Sequence, residues 1–277
     1  MQAYIKKIIK KSIPYKVYSP ILYSYRYVKS IAYIGKEFEC PFCRGRFDKL
    51  LPGGYTFPVL REKNVIGAGY RLNAACPRCF SADRERLILL FLKEKKQDIF
   101  LKKIRLLHVA PEARLSVFLK SHDNIDYLSA DLDSPLADIK MDITNIVFKD
   151  GAFDFIICNH VLEHIPDDAR AMSEIFRVLK PGGSAILQVP ISYSIPHTIE
   201  DLSITDPKDR EKVFGQDNHV RLYGRDYKKR LEQVGFTVIA DNFIGELARQ
   251  DIHKYGLIEG ELIYLCSKDH SSPALSN

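Results

Sequence analysis

No stretch of this 277-residue chain reaches 18 consecutive apolar residues, so no segment is built to cross a bilayer as a helix. The N-terminus has neither the apolar core nor the small-residue cleavage site of a secretory leader, and a cytoplasmic protein is expected. Acid is missing from residues 1–36, which hold seven Lys and one Arg. That segment carries +8 and leaves −2 on the rest of a chain whose total is +6, so charge alone does not make the main body a nucleic-acid binder. Cysteine is scarce. Of six, four form two CxxC pairs, while Cys158 and Cys266 stand alone in apolar runs; this usage fits a reducing compartment and a metal site better than a disulfide framework.

With 46% hydrophobic residues the chain can bury one large core and carry a smaller module. In residues 4–13, YIKKIIKKSI, Tyr4, Ile5, Ile8, Ile9 and Ile13 share one helical face and Lys6, Lys7, Lys10 and Lys11 the other, with Pro14 as the stop. Seven of the 15 tyrosines also fall in residues 1–36. This basic, Tyr-rich amphipathic arm suits either peripheral contact with an anionic membrane or a partner, or packing of its apolar face on its own protein. Residues 37–81, rich in Gly, Pro and short β-like runs, form a small module. Residues 82–103 read as a connecting helix with Ser81 as N-cap, acids in its first turn and lysines in its last. Residues 269–277 read as a disordered tail.

Cys40 and Cys43 in CPFC and Cys76 and Cys79 in CPRC are separated by 32 residues. Two such knuckles supply four sulfurs for one tetrahedral zinc ion, and a closed four-sulfur site is structural, because no coordination position remains for chemistry. A zinc ribbon over 37–81 is therefore expected.

From residue 104 apolar strand-like runs alternate with helical ones. The strands are expected at 104–110, 125–131, 139–143, 153–159, 184–190, 236–240 and 262–268, with a long insertion at 191–222. Such alternation predicts an α/β fold with a parallel sheet covered on both faces, whose ligands lie beyond the carboxyl ends of the strands. The first of these ends, LHVAPEARL, has Ala110, Pro111 and Glu112 where a cofactor-binding glycine loop is expected. The second ends in Asp131, 23 residues after His108, about the spacing from which an acid bonds a ribose diol. MDIT follows with Asp142, then FDFIICNHVLEHIPD and VLKPGGSAILQVP.

These pieces, in this order and spacing, resemble a class I S-adenosylmethionine (SAM)-dependent methyltransferase of the type 11 group over residues 104–268. The resemblance implies a Rossmann-like, seven-stranded, mostly parallel sheet with an antiparallel last strand, helices on both faces, and SAM over the ends of the first two strands. It implies SAM contacts at His108, Ala110 and Glu112, a ribose contact at Asp131 with Leu132 beside it, adenine contacts at Asp142 and Ile143, and Asn159 near the methyl donor. Glu112 stands in for the missing glycines by holding the amino-acid ammonium, or starts the next helix as a first-turn acid.

HVLEH carries His160, Glu163 and His164 in the order HxxEH. A zinc peptidase needs both histidines on a substantial helix, and Pro166 leaves barely one turn. One reading makes this a local structural turn. The other follows a second resemblance, to ubiquinone-type and small-RNA 2′-O-methyltransferases, which place ExxEH at this turn to hold a divalent ion. In that reading His160, Glu163 and His164, completed by His219, are catalytic and ligate a second metal. His197, Glu200, Arg221, Tyr223 and Arg225 are further acceptor-site candidates. The implied function is methylation of an oxygen on a small molecule, sugar or glycan. The alternatives are an RNA methyltransferase, disfavoured by the −2 body and the lack of a DPPY or NPPY turn, and an inactive methyltransferase-fold binding module, suggested by the lost glycines.

Overall fold

The computed structural model describes residues 15–134 and 137–270. The amphipathic run at 4–13 lies outside them, as does all but the start of the expected tail. Seven strands form the central sheet: β1 (Ile104–Val109), β2 (Ile125–Asp131), β3 (Ile139–Lys140), β4 (Phe153–Asn159), β5 (Leu179–Gln188), β6 (Thr237–Asp241) and β7 (Ile263–Ser267). Their spatial order is β3-β2-β1-β4-β5-β7-β6. β1, β2, β3, β4 and β5 pair in parallel, and β7 runs antiparallel to both β5 and β6. The sheet order reverses between β1 and β4, which places a ligand crevice at their carboxyl ends.

The strand pattern follows from two-sided burial. In β1, Leu107 and Val109 join a core with Ile156 and Cys158 of β4 and with Ala171, Met172, Ile175 and Phe176 of α4 (Asp168–Val178). Leu106, on the opposite face, joins Phe155, Ile157 and Ile186 beneath α2 (Asp83–Lys95) and α3 (Ala113–Lys120). Each such side chain contributes about 1.5–3 kcal/mol on burial. Cys158 and Cys266 are fully buried in the first of these cores, as expected of thiols in apolar strand runs.

α1 (Tyr15–Ser30) precedes the cysteine module and lies against its second knuckle, where the Arg26 guanidinium stands 3.8 Å over the Phe80 ring and Arg78 faces Tyr27. Its outward side leaves Tyr25, Val28 and, just beyond, Ile31 exposed. Ser81 does not cap α2. The helix begins at Asp83 after Ala82, whose N–H donates to Glu85 Oε1 at 2.9 Å, while Ser81 Oγ sits 3.3 Å from the sulfurs of Cys40 and Cys79. The thiol cluster competes successfully for that hydroxyl.

The segment between the knuckles does not stay within a separate module. Residues Val65–Ile66 pair antiparallel with Ile191–Ser192 of the insertion, and Ser192 Oγ donates to the Lys63 carbonyl. Arg86, 1% exposed, donates to the carbonyls of Asn73, Ala74, Ser81, Tyr255 and Gly256, so one guanidinium ties the module to the end of the main domain. The insertion holds a hairpin, Ile199–Glu200 against Arg221–Leu222, and a helix Pro207–Phe214 that the scattered charges had hidden, with Asp206 as N-cap and Gly215 (φ +84°) closing it.

Candidate active site

β4 ends at Asn159, and His160 follows in a left-handed conformation (φ +56°) that turns the chain into one short 3₁₀ turn, Leu162–His164. That is too little helix for a peptidase pair of histidines. Arg221, fully buried, secures the turn from behind by donating to the carbonyls of Leu162, Ile165 and Pro166, and Tyr223 donates to Asp168 at 2.7 Å. These two acceptor-site candidates are thus supports. Among the described residues lining the cavity, His197, Glu200 and Arg225 do not figure either.

The cavity itself measures about 230 Å³ and lies over the turn, with His160, Glu163, His164 and His219 on one side and Arg84 and Gly67 on the other. Gly67 has φ +92°, and a Cβ there would meet His160 Cε1 at 3.1 Å, so the inter-knuckle segment approaches the site as closely as a glycine allows. Glu163 Oε1 lies 3.7 Å from His160 Nδ1 and 3.8 Å from His164 Nε2. The His164 and His219 rings meet edge to face at 4.7 Å. One ligand atom each from Glu163, His164 and His219 falls within 4.8 Å of the others. His164 Nδ1 is 3.3 Å from the Asn218 carbonyl, which favours the tautomer whose lone pair is on Nε2, toward Glu163.

Burial sets the charge states. It pushes the Glu163 carboxyl up to about 8 and His219 down to about 3, and it lowers His160 and His164 as well. Neutral imidazoles beside a proton-holding carboxyl form a set that accepts a cation readily once the carboxyl gives up its proton. Glu163 Oε2 and His160 Nε2 are both buried without a hydrogen-bond partner, which is costly unless a ligand meets them.

On the cofactor side, His108 is fully buried, with Nδ1 2.9 Å from Tyr127 Oη and Nε2 2.8 Å from Glu112 Oε2. Asn159 Nδ2 donates to Glu112 Oε1. Ala110 adopts φ +49°, the left-handed conformation a glycine would normally supply at the strand end. Asp131 Oδ1 accepts the N–H groups of Asp133 and Ser134, each at 2.7 Å, which fixes its carboxylate at the end of β2 with Leu132 exposed beside it. Asp142 accepts from Thr144 N–H and Oγ1, and Ile143 is buried beneath. The structure therefore brings Glu112, Asn159, His160 and Glu163 to one end of the sheet, with Asp131 and Asp142 farther along the same edge. Sequence reading missed Arg84 and Gly67, which arrive from the cysteine module and its following helix.

The four sulfurs of Cys40, Cys43, Cys76 and Cys79 lie within 4.8 Å of one another, with Cys40–Cys79 at 3.5 Å and Cys43–Cys76 at 3.7 Å. A tetrahedron of sulfurs ~2.3 Å from a zinc ion has edges of ~3.8 Å, so the donor set fits that ion. Hydrogen bonds from the other thiols, Cys43 first, favour a thiolate at Cys40.

Parts of the chain are similar to known proteins. Residues 114–187 match the family model described as a methyltransferase domain. A 37.1 kDa uncharacterized protein in transposon TN4556 of Streptomyces fradiae is 27% identical over 134 residues, 47% of this chain and 38% of that protein. Arsenite methyltransferase of Aquipseudomonas alcaligenes is 29% identical over 96 residues, 35% of this chain and 26% of its own. The match thus spans less than two-fifths of either relative's length. Among solved structures, a SAM-dependent methyltransferase from Archaeoglobus fulgidus covers 66% of this chain and 92% of its own at 14% identity and a TM-score of 0.40. Residues 114–187, which resemble a methyltransferase domain, thus lie within a Rossmann-like, seven-stranded, mostly parallel sheet.

Proposed function

We propose that this chain is a SAM-dependent methyltransferase acting on an oxygen of a small molecule, sugar or glycan. The observation that carries the reading is the group of buried, unpartnered polar atoms on Asn159, His160 and Glu163 at the carboxyl end of β4, beside a cavity walled by His164 and His219. Bound SAM supplies an electrophilic methyl group for in-line displacement. In this reading Asp131 orients the ribose, Asp142 and Ile143 receive the adenine, and the inter-knuckle segment excludes water from the acceptor side. An oxygen acceptor must lose a proton, and without a metal in the site His164, with its lone pair on Nε2, is placed to take it.

Glu163, His164 and His219 also suit a divalent cation, which would make the acceptor hydroxyl more acidic. The four cysteines suit a structural zinc ion that takes no part in the chemistry. No helix among the described residues is long and apolar enough to cross a membrane. Cytoplasmic placement accords with six free thiols, and peripheral contact with an anionic membrane through residues 1–36 accords with their charge and with the exposed aromatic side of α1.

The test is methyl transfer from tritiated SAM into fractionated cell extract, with and without mild chelation that spares the cysteine-bound zinc. Chelation should abolish transfer, and Mg²⁺ or Mn²⁺ should restore it without changing the affinity for S-adenosylhomocysteine. Transfer that survives chelation would exclude the second metal and leave His164 or His219 as the base. Absence of both transfer and S-adenosylhomocysteine binding would overturn the enzymatic reading itself.

A further inference from the structure

We propose that Arg84, Glu112 and Asn159 form a side-chain clamp for the amino-acid end of SAM, with Arg84 taking its carboxylate and Glu112 and Asn159 its ammonium. This inference rests on the SAM-dependent reading above. A glycine loop after the first strand would hold that zwitterion through backbone groups, and here several of those groups are spent. The Ala110 N–H donates to the Ala130 carbonyl at 2.8 Å, and Pro111 has no N–H to give. The amides of Arg114 and Leu115 opening α3 point at Glu85 Oε2, at 3.2 and 3.3 Å. Ser116 N–H closes the helix onto the Glu112 carbonyl at 2.9 Å. The side chain of Glu85, delivered by α2, thus occupies the anion position at this helix N-terminus.

The helix N-terminus already holds a carboxylate, and the donor best placed for a ligand's carboxylate is a side chain. Arg84, one residue before Glu85, brings a guanidinium whose Nε is buried without a hydrogen-bond partner, 3.7 Å from Glu112 Oε1. Immediately beside it are acceptors. Glu112 is held by His108 on one oxygen and Asn159 on the other, and Asn159 Oδ1 is itself buried and unpartnered. Because Asn159 Nδ2 donates to the carboxylate, Oδ1 is the atom left to accept. A cationic donor whose Nε makes no hydrogen bond, beside a carboxylate and an unpartnered carbonyl oxygen, is the complement of an α-amino acid, whose opposite charges are two bonds apart. Arg84 lies outside the residues that match the methyltransferase family model, 114–187, and the cationic arm of the clamp is supplied by the helix that leaves the cysteine module.

Calorimetric titration of the zinc-loaded protein with three ligands tests the clamp. They are S-adenosylhomocysteine, its analogue lacking only the carboxylate, and 5′-methylthioadenosine, which lacks the whole amino-acid end. Arg84→Met, which keeps an apolar stem, should weaken S-adenosylhomocysteine at least tenfold and leave the other two unchanged. Glu112→Gln should weaken both amine-bearing ligands and leave 5′-methylthioadenosine unchanged, which also controls for folding of the variants. Equal loss of all three ligands in Arg84→Met, or no loss of any, would overturn the clamp; the second result would place Arg84 with the acceptor. Wild-type protein that binds none of the three would overturn the SAM-dependent reading beneath it.

Discussion

Replacing Arg86 by Met tests whether the cysteine module and the seven-stranded sheet domain fold as one body. The wild-type guanidinium donates to Ser81 and Tyr255 at 2.7 Å, Gly256 at 2.9 Å, Asn73 at 3.1 Å and Ala74 at 3.3 Å. Hydrogen bonds from a charged donor are worth about 1.5–3 kcal/mol each, but they are not additive, and losing the cation also removes its own desolvation cost. What remains is the cost of several buried carbonyls with no donor, and a net loss of about 3–5 kcal/mol follows. At roughly 2–4 °C per kcal/mol for a chain of this size, the midpoint should fall by about 6–20 °C. Scanning calorimetry of the zinc-loaded protein reads this, and limited proteolysis should show cleavage between the knuckles before the sheet is cut. A fall under 2 °C with an unchanged cleavage pattern would refute the reasoning, because the carbonyls would then have found other partners at little cost.

Cys76→Ser should yield protein without bound zinc by elemental analysis, with the knuckles open to protease; full zinc retention would remove Cys76 from the ligand set. Gly67→Val forces a branched side chain into a left-handed position facing His160, and should cost about 1–3 kcal/mol while zinc stays bound. An unchanged midpoint in that variant would show that the inter-knuckle segment does not press on the site. Glu261 is buried, and desolvation, followed by the charge of Asp83, pushes its carboxyl up to about 8. A raised carboxyl favours the folded state fully below the unfolded value near ~4.5, and the advantage is lost as pH rises through about 8. Glu261→Gln should therefore gain stability relative to wild type as pH rises from about 4.5 to about 8, and hold that gain above it, by thermal melts; parallel pH curves for the two proteins across that window would contradict the assignment.

Periodicity in the sequence located all seven strands of the sheet, since two-sided burial demands apolar runs wherever a parallel strand lies. The short IKMDI run was overextended: only Ile139–Lys140 pairs, because Asp142 spends its carboxylate on the turn at Thr144. The two knuckles, the acids at Asp131 and Asp142 and the HxxEH turn were legible for a related reason, each being a local arrangement of chemistry-bearing residues. His219 was also named from sequence, though only folding shows that its ring meets His164 across 54 intervening positions. Arg84, Glu85, Arg86 and Gly67 gave no such signal. In sequence Arg84 and Glu85 are ordinary first-turn charges of an amphipathic helix, and Gly67 is one of several glycines in a loop-rich stretch. Their roles come from side-chain-to-backbone bonds and close approaches between segments far apart in the chain, which leave no periodic trace. The sequence by itself determined which strands form and where the two cysteine knuckles and the HxxEH turn fall along the chain. The tertiary structure decided that the cysteine module closes over the carboxyl edge of the sheet, because burial of Arg86 and the pairing of Val65–Ile66 with Ile191–Ser192 exist only once both parts have folded.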